Sequence, residues 1–294
     1  MFSTATREKL VRRLQQPLRP KELHAHAVEL MEGTGCTSVQ HFIAAIENEK
    51  IVKTYTVKSQ NGKTISICCS RPLEAIDAYE LPVAAIPKGY FCDLTAVYHH
   101  SLTNQIPNAV YWCHENLAPR KRGGAENLSN ARIRNAFLKP HRHTSFVIPH
   151  RDHDILVVAG SRGPSHGVET VQRQHSPCPV GSRVTSLERT LIDAVVSPHY
   201  SGGLTSLCEY FRAARKRLDV TQMLDIYRKL DFVYPYAQSI GFMLDHCGMK
   251  DEAEEVMSAY PPRQRFYIDH DAKSTWVYDE RWMLFHPKGL LDEY

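Results

Sequence analysis

The sequence predicts an α+β fold in two parts: a small N-terminal unit and a larger mixed α/β unit whose C-terminal part is helical. Three observations predict it. Within the first 71 residues, three short helical periods precede two β-rich runs joined through Asn61-Gly62. Between residues 72 and 182, β-like runs are punctuated by Gly and Pro. From Thr185 onward, apolar residues recur mostly at helical spacing.

Thr6 to Gln15 reads as a first helix, with Leu10, Val11 and Leu14 on one face and Pro17 ending it. Pro20 opens a second helix through Leu23, Ala27, Leu30 and Met31, and Gly33 and Gly35 end that one. A third helix starts with Thr37 or Ser38 as N-cap and turns Phe42, Ile43 and Ile46 inward. Ile51 to Val57 and Thr64 to Cys69 then read as a hairpin, because Asn-Gly between β-rich runs favours a tight turn. Three helices and a hairpin, in that order, predict a winged helix-turn-helix over residues 1–71. The third helix would read the groove and the hairpin would be the wing. Thr37, Ser38, Gln40 and His41 are then the candidates for base or phosphate contact. Lys58, Gln60, Asn61 and Lys63 in the hairpin, with Arg12 and Arg13 near the first helix end, are the candidates for the DNA backbone.

A Pro-containing segment from Arg71-Pro72 to Pro87 separates this unit from residues 72–294. Lys88 to Phe91 leads into a helix capped by Asp93 or Thr95. Asn108 to Cys113 reads as a strand, and residues 117–130 as an exposed loop. Thr144 to Ile148, Asp154 to Ala159 and Val168 to Gln172 read as further strands. Residues 185–196, 203–217, 220–231, 235–247 and 250–259 read as helices, and Gln264 to Ile268 as a short strand. Thr185 and Glu188 fit a capping box. Leu187, Leu191, Ile192 and Val195 form the apolar face of that helix. Arg189 and Asp193, four residues apart, can pair on an exposed face.

Composition excludes several classes. Among 294 residues, 43% are hydrophobic and 23% charged, as in ordinary globular domains, and no apolar run is long enough to span a bilayer. The first residues carry basic side chains but no apolar core or cleavage site, so they read as a helix and not a signal peptide; a cytoplasmic protein is expected. The eight cysteines form no C-x-x-C pair and read as buried or free thiols. Adjacent Cys68 and Cys69 in one strand point to opposite faces. The net charge of +4 permits nucleic-acid binding without requiring it. Local runs are stronger: Arg7 to Lys21, and Arg120, Lys121 and Arg122. No phosphate-binding Gly-rich motif is present, so no nucleotide cofactor is expected. Gly160-Ser161 is not followed by the paired carboxylates of a nucleotidyltransferase. His141, His143, His150 and His153 with Asp152 and Asp154 are dense, but their spacing matches no structural zinc pattern. No catalytic set and no metal is therefore expected.

Two blocks carry a resemblance. Gly89, Tyr90, Thr95, Ala96, His100, Leu102 and Thr103 form the first; Thr185, Ser186, Glu188, Arg189, Thr190, Ile192, Asp193, Gly202 and Gly203 form the second. In this order they are similar to the AbiEi family of antitoxins, over residues ~89 to ~247. Asp93 departs from the family pattern, which has a small hydroxyl there. The resemblance implies a DNA-binding antitoxin of an abortive-infection, type IV toxin–antitoxin system in phage defence. Such a protein represses its own operon through operator DNA and counteracts a cognate nucleotidyltransferase-like toxin. It implies an antitoxin domain over residues 72–294, β-containing over 72–182 and mainly helical over 183–294. It implies no catalytic role for Thr185, Glu188, Arg189, Asp193, Gly202 or Gly203. Two other readings stay open: a defence-associated nuclease with a winged DNA-binding domain, and a stand-alone transcriptional regulator. The nuclease reading requires Asp152, Asp154 and Glu169 to converge within metal-ligand distance.

Overall fold

The structure is a computed structural model that describes residues 2–115, 128–151, 153–160, 165–172 and 176–290. The chain is α+β. Its N-terminal unit begins with α1 (Thr4–Arg13), whose N-cap Ser3 accepts a bond from the Thr6 amide. Pro20 opens α2 (Pro20–Leu30), and Leu23, Ala27 and Leu30 fall on its inner face. α3 (Val39–Asn48) is capped by Ser38, not Thr37; its hydroxyl accepts from the His41 amide at 3.2 Å. Leu10, Leu14, Leu23, Ala27, Leu30, Phe42 and Ile46 close one apolar core between the three helices.

The hairpin pairs β1 (Lys53–Lys58) with β2 (Thr64–Cys69), Lys58 opposite Thr64. Ser59 and Asn61 stitch the turn, and Gly62 supplies its positive φ of 83°. Leu18, between α1 and α2, bridges Cys68 through two main-chain bonds. The alternation of β2 works as its sequence demands. Cys68 joins the helical core, while Ile67 and Cys69 face the other way, into a second cluster. All eight cysteines are free thiols, seven of them buried.

That second cluster belongs to a six-stranded mixed sheet of β3 (Gly89–Phe91), β4 (Ala109–Glu115), β5 (Val147–His150), β6 (His153–Gly160), β7 (Val168–Thr170) and β8 (Arg183–Thr185). The spatial order is β5-β6-β4-β3-β8-β7; β4 runs parallel to β6, and β3 parallel to β8. Period-two alternation puts Phe91, Val110, Trp112, Val157 and Val184 on one face, against the hairpin and α4 (Glu80–Ala85). Tyr90, Cys92, Tyr111, Cys113 and Val158 face the helices. Both faces are covered, which explains why Ala109 to Cys113 are all buried.

Helices α5 (Asp93–His99), α6 (Asn130–Phe137), α7 (Leu187–Val196), α8 (Leu207–Ala214), α9 (Val220–Leu230), α10 (Ala237–His246) and α11 (Lys250–Ala259) build the largest core with that face. A small sheet, β9 (Phe266–Tyr267), β10 (Val277–Asp279) and β11 (Leu284–His286), has the order β10-β11-β9 and closes the end. Trp282, between β10 and β11, is fully buried. It lies so close to α10 that a Cβ on Gly241 would meet its ring carbons at 2.1 Å, which is why that helix carries a glycine there.

Several local expectations are corrected. α4 forms inside the Pro-containing segment, because Pro82 sits near its start, where the amide is not needed. α5 has Cys92 at its N-cap with no side-chain cap. Asp93 is buried at a φ of 48°, and Thr95 Oγ1 accepts the Tyr111 amide instead. α6 starts at Asn130, at the end of the segment read as loop; residues 116–127 lie outside the described residues. Thr185 ends β8, so the cap of α7 passes to Ser186, whose Oγ accepts the Arg189 amide at 3.3 Å. The Thr185–Glu188 capping box does not form.

Candidate functional site

The two blocks singled out in the sequence are neighbouring strand–helix units. β3 leads into α5 and β8 into α7, and the two strands pair with Phe91 opposite Val184. Cross-links join the units. His100 Nε2 donates to the Thr185 carbonyl at 2.6 Å, and Arg217 Nη2 donates to the His100 carbonyl at 2.9 Å. Thr185 and Thr190 share a buried hydroxyl–hydroxyl bond of 2.7 Å.

At the centre lies Arg189. Its Nε donates to Asp193 Oδ1 at 3.0 Å, its Nη1 to the His166 carbonyl at 2.6 Å, and its Nη2 to the Tyr90 hydroxyl at 3.4 Å. Both partners of the ion pair have no exposed side-chain surface. The expected exposed pair is therefore a buried one, because α7 packs against α5, α8, α9, α10 and β8. Burial pushes the Tyr90 hydroxyl pKa up. Gly167 packs on Arg189 so closely that a Cβ there would lie 2.8 Å from the Arg189 Cβ. Glu188 is buried as well. It accepts from Ser186 Oγ at 3.1 Å and from the Asp219 amide at 3.5 Å, which ties the start of α7 to the start of α9. Gly202 and Gly203 have φ of 89° and 100°, and a Cβ on Gly202 would meet the Tyr210 hydroxyl at 2.5 Å. The Arg189–Asp193 pair, without solvent access, ties α7 to β3 and to the His166 carbonyl.

Beside this centre Arg183 pairs with Glu115 at 2.9 Å. Burial raises the Glu115 pKa, but bonds from Ser165 and Arg183 outweigh it and hold the carboxyl below its ordinary value.

The candidates for DNA contact divide by exposure and prior commitment. Thr37, Ser38, Gln40 and His41 are all exposed at the start of α3, with Ser38 committed to the cap. In the hairpin, Lys58, Gln60, Asn61 and Lys63 are exposed. The Gln60 amide donates to the Val147 carbonyl at 2.8 Å, Asn61 holds the turn, and Lys63 Nζ lies 4.7 Å from the Phe146 ring centroid. The hairpin tip is thus anchored to β5 of the six-stranded sheet. Arg12 is exposed, and Arg13 pairs with Glu29 on α2. The basic run at 120–122 lies outside the described residues.

The histidines at 141–153 do not gather into one site. His141 pairs with Asp269 and stacks on His199 at 3.8 Å, with His143 edge-on to His199. His150, by contrast, is buried in β5 and bonds the Ile76 carbonyl at 2.8 Å. Asp154 on β6 and Glu169 on β7 are four strand positions apart, about 19 Å at the usual strand spacing, and so do not converge. Asp152 and Ser161 lie outside the described residues. Among the described residues, the ligand atoms that do come together are those of His99, His100 and Glu169, all within 4.8 Å of one another. The His-His doublet at the end of α5 is the one sequence signal for this group; the approach of Glu169 depends on the β7–β8 pairing.

No helix among the described residues is long and apolar enough to cross a membrane. No protein-family model matches the chain, and no curated protein matches it. Its fold is similar to the crystal structure of the RV2827C protein from Mycobacterium tuberculosis, at 12% identity and a TM-score of 0.56, over 98% of this chain and 92% of that one. At that identity the likeness is one of fold alone.

Proposed function

We propose that the chain is a DNA-binding antitoxin and autorepressor of the AbiEi kind, without catalysis of its own, in the cytoplasm. Residues 1–71 act as a winged helix-turn-helix, and residues 72–294 form the antitoxin domain that opposes a nucleotidyltransferase-like toxin. The observation that carries the DNA reading is the unit of α1, α2, α3 and hairpin. It has its own helical core, the Leu18–Cys68 bridge, and an α3 start whose exposed side chains are polar. In the second part, the buried Arg189–Asp193 pair and the His100–Thr185 bond favour a scaffold role for the two blocks. A toxin would then meet the outer surfaces that this scaffold holds in place.

The wing lysines give the experiment. Binding of the full chain to duplex DNA from upstream of its own gene should follow a log–log salt slope of about −0.9 for each phosphate neutralised. Lys58→Ala with Lys63→Ala should weaken binding across sequences and flatten that slope by about 1 per lost contact. A double variant with wild-type affinity and slope would remove the hairpin from the interface.

A further inference from the structure

We propose that His99, His100 and Glu169 form a binding site for one divalent cation of the zinc class, at the junction of α5, β7 and β8. Two imidazoles and a carboxylate suit a borderline cation such as Zn²⁺ better than Mg²⁺ or Ca²⁺, which prefer all-oxygen shells. Their ligand atoms, all within 4.8 Å of one another, need to close to roughly 3.4 Å for bonds of about 2.1 Å in tetrahedral geometry. Both histidines are buried and Glu169 is exposed, so that closure calls for a shift of the carboxylate toward the two rings.

The outer bonds orient both rings. The Thr185 carbonyl can only accept, so His100 Nε2 carries a hydrogen, and in the neutral ring that a metal requires Nδ1 carries the lone pair. His99 Nδ1 is bonded to the Ser176 hydroxyl, whose oxygen also accepts the Cys178 amide; a metal on His99 would take Nε2, with Nδ1 donating to that hydroxyl. Metal-bound histidines usually have such a second partner on the other ring nitrogen. Adjacent residues can chelate here because His100 is the C-cap of α5, and its ring stands edge-on to that of His99 at 4.8 Å. Three protein ligands leave a fourth position for water. An ion at this place ties the edge strand β7 to α5, beside the Thr185 carbonyl where the two motif blocks meet.

The full chain, stripped with a chelator, is titrated with Zn²⁺ by calorimetry, with Co²⁺ absorption as the coordination probe. One ion per chain and a rise in melting temperature are expected. Glu169→Gln keeps the shape of the side chain while removing its charge, and circular dichroism of the metal-free variant checks that the fold persists. This substitution should weaken Zn²⁺ binding at least about tenfold, the lower end of the cost of losing even an outer partner of a ligand. His141→Gln, in the separate histidine group, should leave the affinity unchanged. No stoichiometric binding, wild-type affinity in Glu169→Gln, or loss of binding in His141→Gln would each overturn the site.

Discussion

Arg189→Ala should destabilise the chain by about 3–5 kcal/mol, the range for leaving one charge of a buried pair without its partner. The side chains of Arg189 and Asp193 have no solvent-exposed surface, so water cannot take over the role of the missing guanidinium. The His166 carbonyl and the Tyr90 hydroxyl lose a donor in the same step. Urea unfolding followed by circular dichroism measures the loss. Replacing both members, Arg189→Met with Asp193→Leu, should recover most of it, because apolar residues of similar volume often substitute for a buried pair at little cost. A loss of under about 1 kcal/mol for Arg189→Ala would mean that the pair is solvated, as surface pairs are.

Trp282→Ala should cost a similar amount, about 3–5 kcal/mol, the usual range for removing a large buried aromatic. The ring fills the space over Gly241, and its Nε1 donates to Asp245 Oδ2 at 3.2 Å. Its removal opens a cavity between α10 and the small sheet that α10 cannot collapse into without moving α11. Thermal and urea unfolding of the variant give the number. A cost below about 1 kcal/mol would show that β10 and β11 are not packed on the helices as described.

How far these features could be read from the sequence depends on how local their causes are. The N-terminal unit is readable because its signals lie within a few residues: Ser38 before α3, Pro20 at the start of α2, Asn61-Gly62 in the hairpin. The opposite faces of Cys68 and Cys69 follow from strand geometry alone. α6 gives almost no signal, since Ile133 and Phe137 are its only buried residues. The cap at Thr185 fails for a non-local reason: pairing of β8 with β3 and β7 extends the strand through Thr185 and leaves Ser186 to start the helix. The pairing of Arg189 with Asp193 is visible in their four-residue spacing. Their burial is not, because it comes from Tyr90 on β3 and from α9. The His99–His100–Glu169 group is hidden for the same reason: its carboxylate reaches the histidines only across the β7–β8–β3 edge of the sheet.

The central claim is that α3 reads DNA sequence, and its most direct test is a ratio of affinities. Full-length protein is titrated against upstream duplex and against a scrambled duplex of equal length, at one fixed salt concentration. The account predicts that wild type prefers the upstream duplex. Gln40→Ala with His41→Ala should lose about 1–3 kcal/mol of that preference for each base contact removed, while affinity for the scrambled duplex changes little. Equal affinity of the wild type for both duplexes, or full preference retained by the double variant, would contradict it.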